Sequence, residues 1–241
     1  MQKTRINSQT ILAYTITASI VLGASMYNYL DGTMVSRTLW KGLQIICFAL
    51  SIVFIGRINS KAFKSAMLLL GYLLIYVVLS CAFSSPSIDN LIAYVLCFFF
   101  AYLYVSAQIK NDSLDKLFDA YVNLMFIVTV ISLFFWLFGS VLNIVPYTIA
   151  RYHYGWGTVA HNYFWVYFDE PIQNTVFFGI KAVRNCGICM EAPGFVNLLM
   201  YGLVIELIRN PKSKLKTLVF LLGLITNFSS NEYFLFILLV K

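Results

Sequence analysis

The sequence predicts an all-α fold, a polytopic bundle of about six to eight membrane-spanning helices with a cytoplasmic N-terminus and one large outer loop. Three observations predict it. Of the 241 residues, 60% are hydrophobic and 11% charged, against roughly 45–50% and about 25% in soluble domains, and mean hydropathy is +0.79. Several apolar runs reach the roughly 17–25 residues that cross a bilayer as helix. The bases fall in short clusters between those runs. Lipid offers backbone groups no hydrogen bonds, which excludes an open sheet within it, and no alternation over about ten residues points to a barrel.

The spans expected in order are 11–30, 38–56, 66–84, 90–108, 121–143 and 192–208, with a seventh stretch, 217–240, interrupted by polar residues. Lys3 and Arg5 precede the first run, and no small-residue cleavage site follows it, so it reads as a retained helix. A cytoplasmic N-terminus places Lys3, Arg5, Arg57, Lys61, Lys64, Lys110, Lys116, Arg209, Lys212, Lys214 and Lys216 inside, and only Arg37, Lys41, Arg151, Lys181 and Arg184 outside. Positive charge gathers on the cytoplasmic side, so this orientation is the expected one. The net charge of +7 then reports topology, and no nucleic-acid partner is implied. The whole chain, 1–241, reads as one integral membrane domain.

The fifth connection, 144–191, is far longer than the 12–15 or so residues beyond which structureless loops become uncommon. Its stretch "RYHYGWGTVAHNYFWVYF" (151–168) is rich in aromatics, unlike disordered segments. It is expected to fold on the outer surface, partly dipping to the interface. It supplies Arg151, His153, His161, Asp169, Glu170 and Lys181. Aromatic faces here suit the C–H faces of sugar rings; they equally suit an interfacial belt. The two histidines have no third ligand at useful spacing, so no metal and no cofactor are expected.

"RNCGICMEAPGFVNLLM" (184–200) places charge directly before an apolar run. Pro193 suits the first turn of a helix, which puts Glu191 at or beside its cap. The N–H groups of that helix end, with Arg184 and Asn185 just before it, make an anion site, and a guanidinium fork matches two phosphate oxygens. Glu191 has two readings: a general base on a hydroxyl, or the anion that neutralises Arg184 and the helix end. Cys186 and Cys189 form a C-x-x-C with no second pair to complete a zinc site, and read as small residues at a crowded helix entry, or else as a redox pair or disulfide. Cys47, Cys81 and Cys97 lie within apolar runs. Further on, "TNFSSNEYF" (226–234) either carries Glu232 to mid-membrane or forms a turn, and its Asn and Ser residues favour the turn.

Arg184-Asn185-x-Gly187-Ile188 followed by Glu191-Ala192-Pro193-Gly194-Phe195 resembles the arginine–glycine–glutamate–proline segment of bacterial O-antigen and capsular polysaccharide polymerases (Wzy-type). "LLGLITNFSSNEYFLFILL" resembles the Thr/Ser-rich segment that follows it there, after a basic cytoplasmic connection. The two motifs cover roughly the last quarter of the chain. The family commonly has a small residue where Glu232 stands, more spans and a second outer loop, so the resemblance implies a member shortened after Lys241.

The resemblance further implies a multi-pass protein of the bacterial inner membrane and a metal-independent glycosyltransferase. It would transfer a growing glycan from undecaprenyl pyrophosphate to a new lipid-linked repeat unit, with a chain-length regulator and a flippase as protein partners. Arg184 and Glu191 would be catalytic. Arg151, His153, His161, Asn185 and Lys181 would bind substrate. An O-antigen ligase is the related alternative, and a membrane transporter or scaffold is the rival from another class.

Overall fold

A computed structural model describes residues 8–30, 37–55, 60–83, 88–110, 114–154, 157–171, 175–177 and 180–228. It is mostly helical: α1 (Ser8–Gly23), α2 (Arg37–Ile55), α3 (Ser60–Phe83), α4 (Ile88–Lys110), α5 (Leu114–Phe135), α6 (Ala192–Arg209) and α7 (Lys214–Ile225). Among the described residues, four segments are long and apolar enough to cross a membrane: Phe63–Ala82, Leu91–Ile109, Leu114–Val141 and Ala192–Arg209. Their surfaces fit hydrocarbon rather than water. On α3, Leu68 is 78% and Val78 67% exposed, an apolar exterior that a water-soluble helix does not carry.

The chain divides into two compact units, one of residues 1–23 and 35–120, the other of 24–34 and 121–241. In the first, Ile16, Phe48, Ile52, Ala66, Leu103 and Tyr104 form the buried core. Gln44 spans three helices there: its amide donates to the Ser19 carbonyl (2.9 Å) and its carbonyl accepts from Cys97 Sγ (3.4 Å). A side chain on Gly23 would stand 2.5 Å from the Gln44 nitrogen, so only glycine admits this bridge.

The first span differs from expectation. Helix α1 stops at Gly23 instead of running to residue 30. Beyond it the chain forms a 3-10 turn over Met26–Asn28 and pairs strand-fashion at Ser25 with Cys189 and at Leu30 with Tyr152. Gly23 and Ser25 weaken helix continuation, and partners in the second unit satisfy the backbone that the helix leaves. The fifth span begins earlier than the expected residue 121 and ends in a π-helical turn, Trp136–Val141. Helix α7 ends at Ile225 and the chain turns at Thr226 and Asn227; Glu232 lies outside the described residues.

The expectation of an all-α chain is corrected by the segment 144–191. Strands β1 (Thr148–Tyr154), β2 (Gly157–Tyr163) and β3 (Tyr167–Asp169) form an antiparallel sheet in sequential order, and β4 (Thr175–Phe177) pairs with β5 (Ile180–Ala182). Exclusion of sheets applies to backbone in hydrocarbon; these strands satisfy one another. Their aromatic and β-branched residues favour the pleated surface, and alternation settles which face is buried. Ala150, Tyr152, Ala160 and Phe168 pack with Met26, Leu30 and Met190, each large apolar side chain contributing about 1.5–3 kcal/mol. The opposite face carries Ile149, Arg151, Val159 and His161, and Ile149 is 66% exposed. A turn joins β2 to β3, closed by Val166 N–H on the Tyr163 carbonyl (3.1 Å), with Phe164 and Trp165 both at positive φ (53° and 63°). That geometry matches the strand twist but costs non-glycine residues about 1–2 kcal/mol each.

Candidate functional site

The segment 183–190 is held from every side within the second unit. Trp136 Nε1 donates to the Val183 carbonyl (2.9 Å). Asn185, fully buried, is its centre. The Asn185 backbone N–H donates to the Thr226 carbonyl and its Nδ2 to Thr226 Oγ1, both at 3.0 Å. Its Oδ1 accepts from Ser132 Oγ on α5 and from Gly187 N–H (3.1 Å). Phe168 N–H on β3 donates to the Gly187 carbonyl (3.1 Å), and Met26 N–H to that of Ile188 (2.9 Å). Gly187 takes φ +58°, and a side chain there would meet the Phe195 ring at 2.6 Å. Glycine is required for both reasons.

This clamp fixes Arg184. The arginine is half-buried, and its Nε donates to the Asn227 carbonyl at the end of α7 (3.2 Å). Among the described residues no carboxylate lies within ion-pair distance of it. Among the described residues, its two terminal NH2 groups make no hydrogen bond. Beside it, Asn227 is wholly buried, and neither its Nδ2 nor its Oδ1 has a hydrogen-bond partner among the described residues. Orphan amide atoms cost about 1–3 kcal/mol each, so the position is one where a bound polar group would relieve the protein.

Glu191 stands at the N-cap of α6 with extended backbone (φ −127°, ψ 145°), and Pro193 lies in the first turn. Its side chain makes no capping bond, and it does not pair with Arg184. Phe195 N–H bonds its carbonyl instead (3.2 Å). The reading of Glu191 as the anion that neutralises Arg184 therefore has no contact to support it.

Of the other expected residues, Asn185 is a positioning residue, committed to the clamp. Arg151 is exposed on β1, and His161 on β2 shares its face of the sheet. The His161 ring stacks on Tyr147 (centroids 3.9 Å apart), and its Nδ1 stands 3.7 Å from Asp169 Oδ2. His153 and Lys181 lie on β1 and β5; their side chains are outside the described residues.

Cys186 and Cys189 are buried and not joined in a disulfide. Burial pushes both thiols up, Cys189 to about 12; at Cys186 the Asp169 and Glu170 carboxylates reinforce the effect, and Arg184 opposes it. Neither supplies a thiolate for redox or metal chemistry near neutral pH. The same influences on Cys186 locate Asp169, Glu170 and Arg184 in one electrostatic neighbourhood.

Asn227 is the site residue that sequence reasoning missed. It lies in the polar knot 226–234, where asparagine reads as a turn former, and only its burial without partners distinguishes it.

No protein-family model, no curated protein and no solved structure matches this chain.

Proposed function

We propose that the chain holds a lipid-linked pyrophosphate at Arg184 and polymerises undecaprenyl-pyrophosphate-linked oligosaccharide repeat units of a surface polysaccharide, on the outer side of the bacterial inner membrane. The observation that carries this reading is the state of Arg184: anchored through Nε, unpaired by any described carboxylate, and beside the orphan amide of Asn227. A fixed guanidinium whose remaining donors meet no acceptor among the described residues is suited to an oxyanion.

In the step proposed, an acceptor sugar hydroxyl on a new lipid-linked unit bonds through its oxygen to the anomeric carbon of the growing glycan. The bond from that carbon to the pyrophosphate breaks, and its electron pair leaves with undecaprenyl pyrophosphate. Arg184 stabilises the charge as it develops on the leaving oxygens. The hydroxyl proton passes to Glu191, whose carboxylate has neither a capping bond nor an ion pair among the described residues. Arg151 and His161, on the open face of the sheet, contact the glycan.

In a strain lacking the gene, the wild-type chain should restore a ladder of glycan lengths. Arg184→Ala should leave single repeat units, its rate lower by about 10²–10³ as for loss of a donor to developing charge. Arg184→Lys should recover little, because an ammonium lacks the fork. A normal ladder from Arg184→Ala would sink the proposal. Intact chain lengths with failed transfer to the lipid A core would assign the protein as a ligase, and solute transport with no effect on the ladder would assign a transporter.

A further inference from the structure

We infer that the connection between α6 and α7 forms a second, separate ligand site for the glycerol-phosphate headgroup of an anionic membrane lipid. A cavity of about 510 Å³ opens there, lined by Glu206, Arg209, Asn210, Pro211, Lys212, Ser213 and Lys216. Its size falls in the roughly 300–1,000 Å³ range of small-molecule sites. Three bases and one carboxylate line it, so the pocket attracts a net anion; Lys216 also donates to Asn123 Oδ1 (2.7 Å). The first turn of α7, which starts at Lys214, borders it and adds the partial positive charge of a helix N-terminus.

Glu206 gives the pocket its specificity. The residue is 1% exposed; Asn210 Nδ2 donates to its Oε2 (3.2 Å), while Oε1 has no hydrogen bond among the described residues. A buried carboxylate oxygen left so is expensive, and it calls for a donor from whatever occupies the cavity. A phosphodiester without a hydroxyl brings only acceptors to the bases. An ammonium would cancel the ligand's own charge in a pocket that favours an anion. A phosphodiester carrying a hydroxyl meets both demands: its phosphate faces Arg209, Lys212 and Lys216, and its hydroxyl donates to Glu206.

The source of that phosphodiester follows from position. The cavity caps the last turn of Ala192–Arg209, one of the four segments able to cross a membrane, so it opens at headgroup depth. Basic juxtamembrane residues at that depth attract anionic lipid.

The test measures binding of the purified full chain to nanodiscs of phosphatidylcholine doped with either phosphatidylglycerol or phosphatidylmethanol, which carry the same charge but differ in the headgroup hydroxyls. Wild-type protein should prefer phosphatidylglycerol by about tenfold, the worth of a hydrogen bond to a charged group. Glu206→Gln should erase that preference. Lys212→Gln, at an exposed position where folding is not at risk, should weaken binding to both lipids about fivefold. Equal wild-type affinity for the two lipids would overturn the inference, as would a Lys212→Gln protein that binds like wild type. Displacement of the lipid by inorganic phosphate at comparable concentration would overturn the lipid assignment in favour of a soluble phosphate.

Discussion

Replacing Asn227 by leucine separates a structural role from a ligand-binding one. An asparagine that merely supports the fold would destabilise the chain when lost. Here both amide atoms are buried without partners among the described residues, and an apolar side chain of similar shape removes that penalty. Asn227→Leu is therefore expected to leave thermal stability unchanged or raise it, while glycan polymerisation falls at least about tenfold, one lost hydrogen bond to a charged ligand. A lower melting temperature with a normal ladder would show the amide to be structural. Arg184 would keep its anchor in this variant, since that bond uses the Asn227 backbone carbonyl.

At the scale of elements, α6 and α7 meet through glycines. Gly202 faces the Phe220 ring, where a side chain would stand 3.1 Å away, and a side chain on Gly223 would meet Thr129 Cγ2 on α5 at 2.7 Å and Leu199 on α6 at 3.2 Å. Small residues let helices approach closely in lipid, and the end of α7 needs that closeness. Thr226 and Asn227 follow directly, and they hold Asn185 and Arg184. Gly223→Val should push α7 outward and loosen the clamp. The expected result is maleimide labelling of Cys186 and Cys189, which are protected in the wild-type fold, together with loss of activity. The spans were legible in the sequence because length and apolarity fix them, as α3, α4 and α6 show. The end of α1 at Gly23 was not, since an apolar run does not reveal that its second half pairs with Tyr152 and Cys189. Nor was the sheet, whose period of two is obscured by aromatics on both faces. Arg184 and Glu191 could be picked out by their setting before a helix. That Arg184 rests on Asn227 could not, because the contact joins residues far apart in the chain.

For the molecule as a whole, the buried cysteines set a pH limit. Burial holds their thiols above the usual thiol range. The folded chain thus keeps protons that the unfolded chain releases. The stability linked to them is fully present below pH about 9 and is lost as pH rises toward 12. Thermal unfolding in detergent should show a melting temperature falling above pH 9, with less of a fall in the Cys186→Ala, Cys189→Ala double variant. An identical fall in the two proteins would place the titration elsewhere. The pairing of residues 24–30 with Tyr152, Ile188 and Cys189 has a further meaning when the chain is considered during its synthesis. That segment leaves the ribosome well before Tyr152 and Cys189, with several helices in between. Such long-range closure is slow, so the strip of backbone that seals the Arg184 clamp is translated long before its partners and is among the last pieces to find its place.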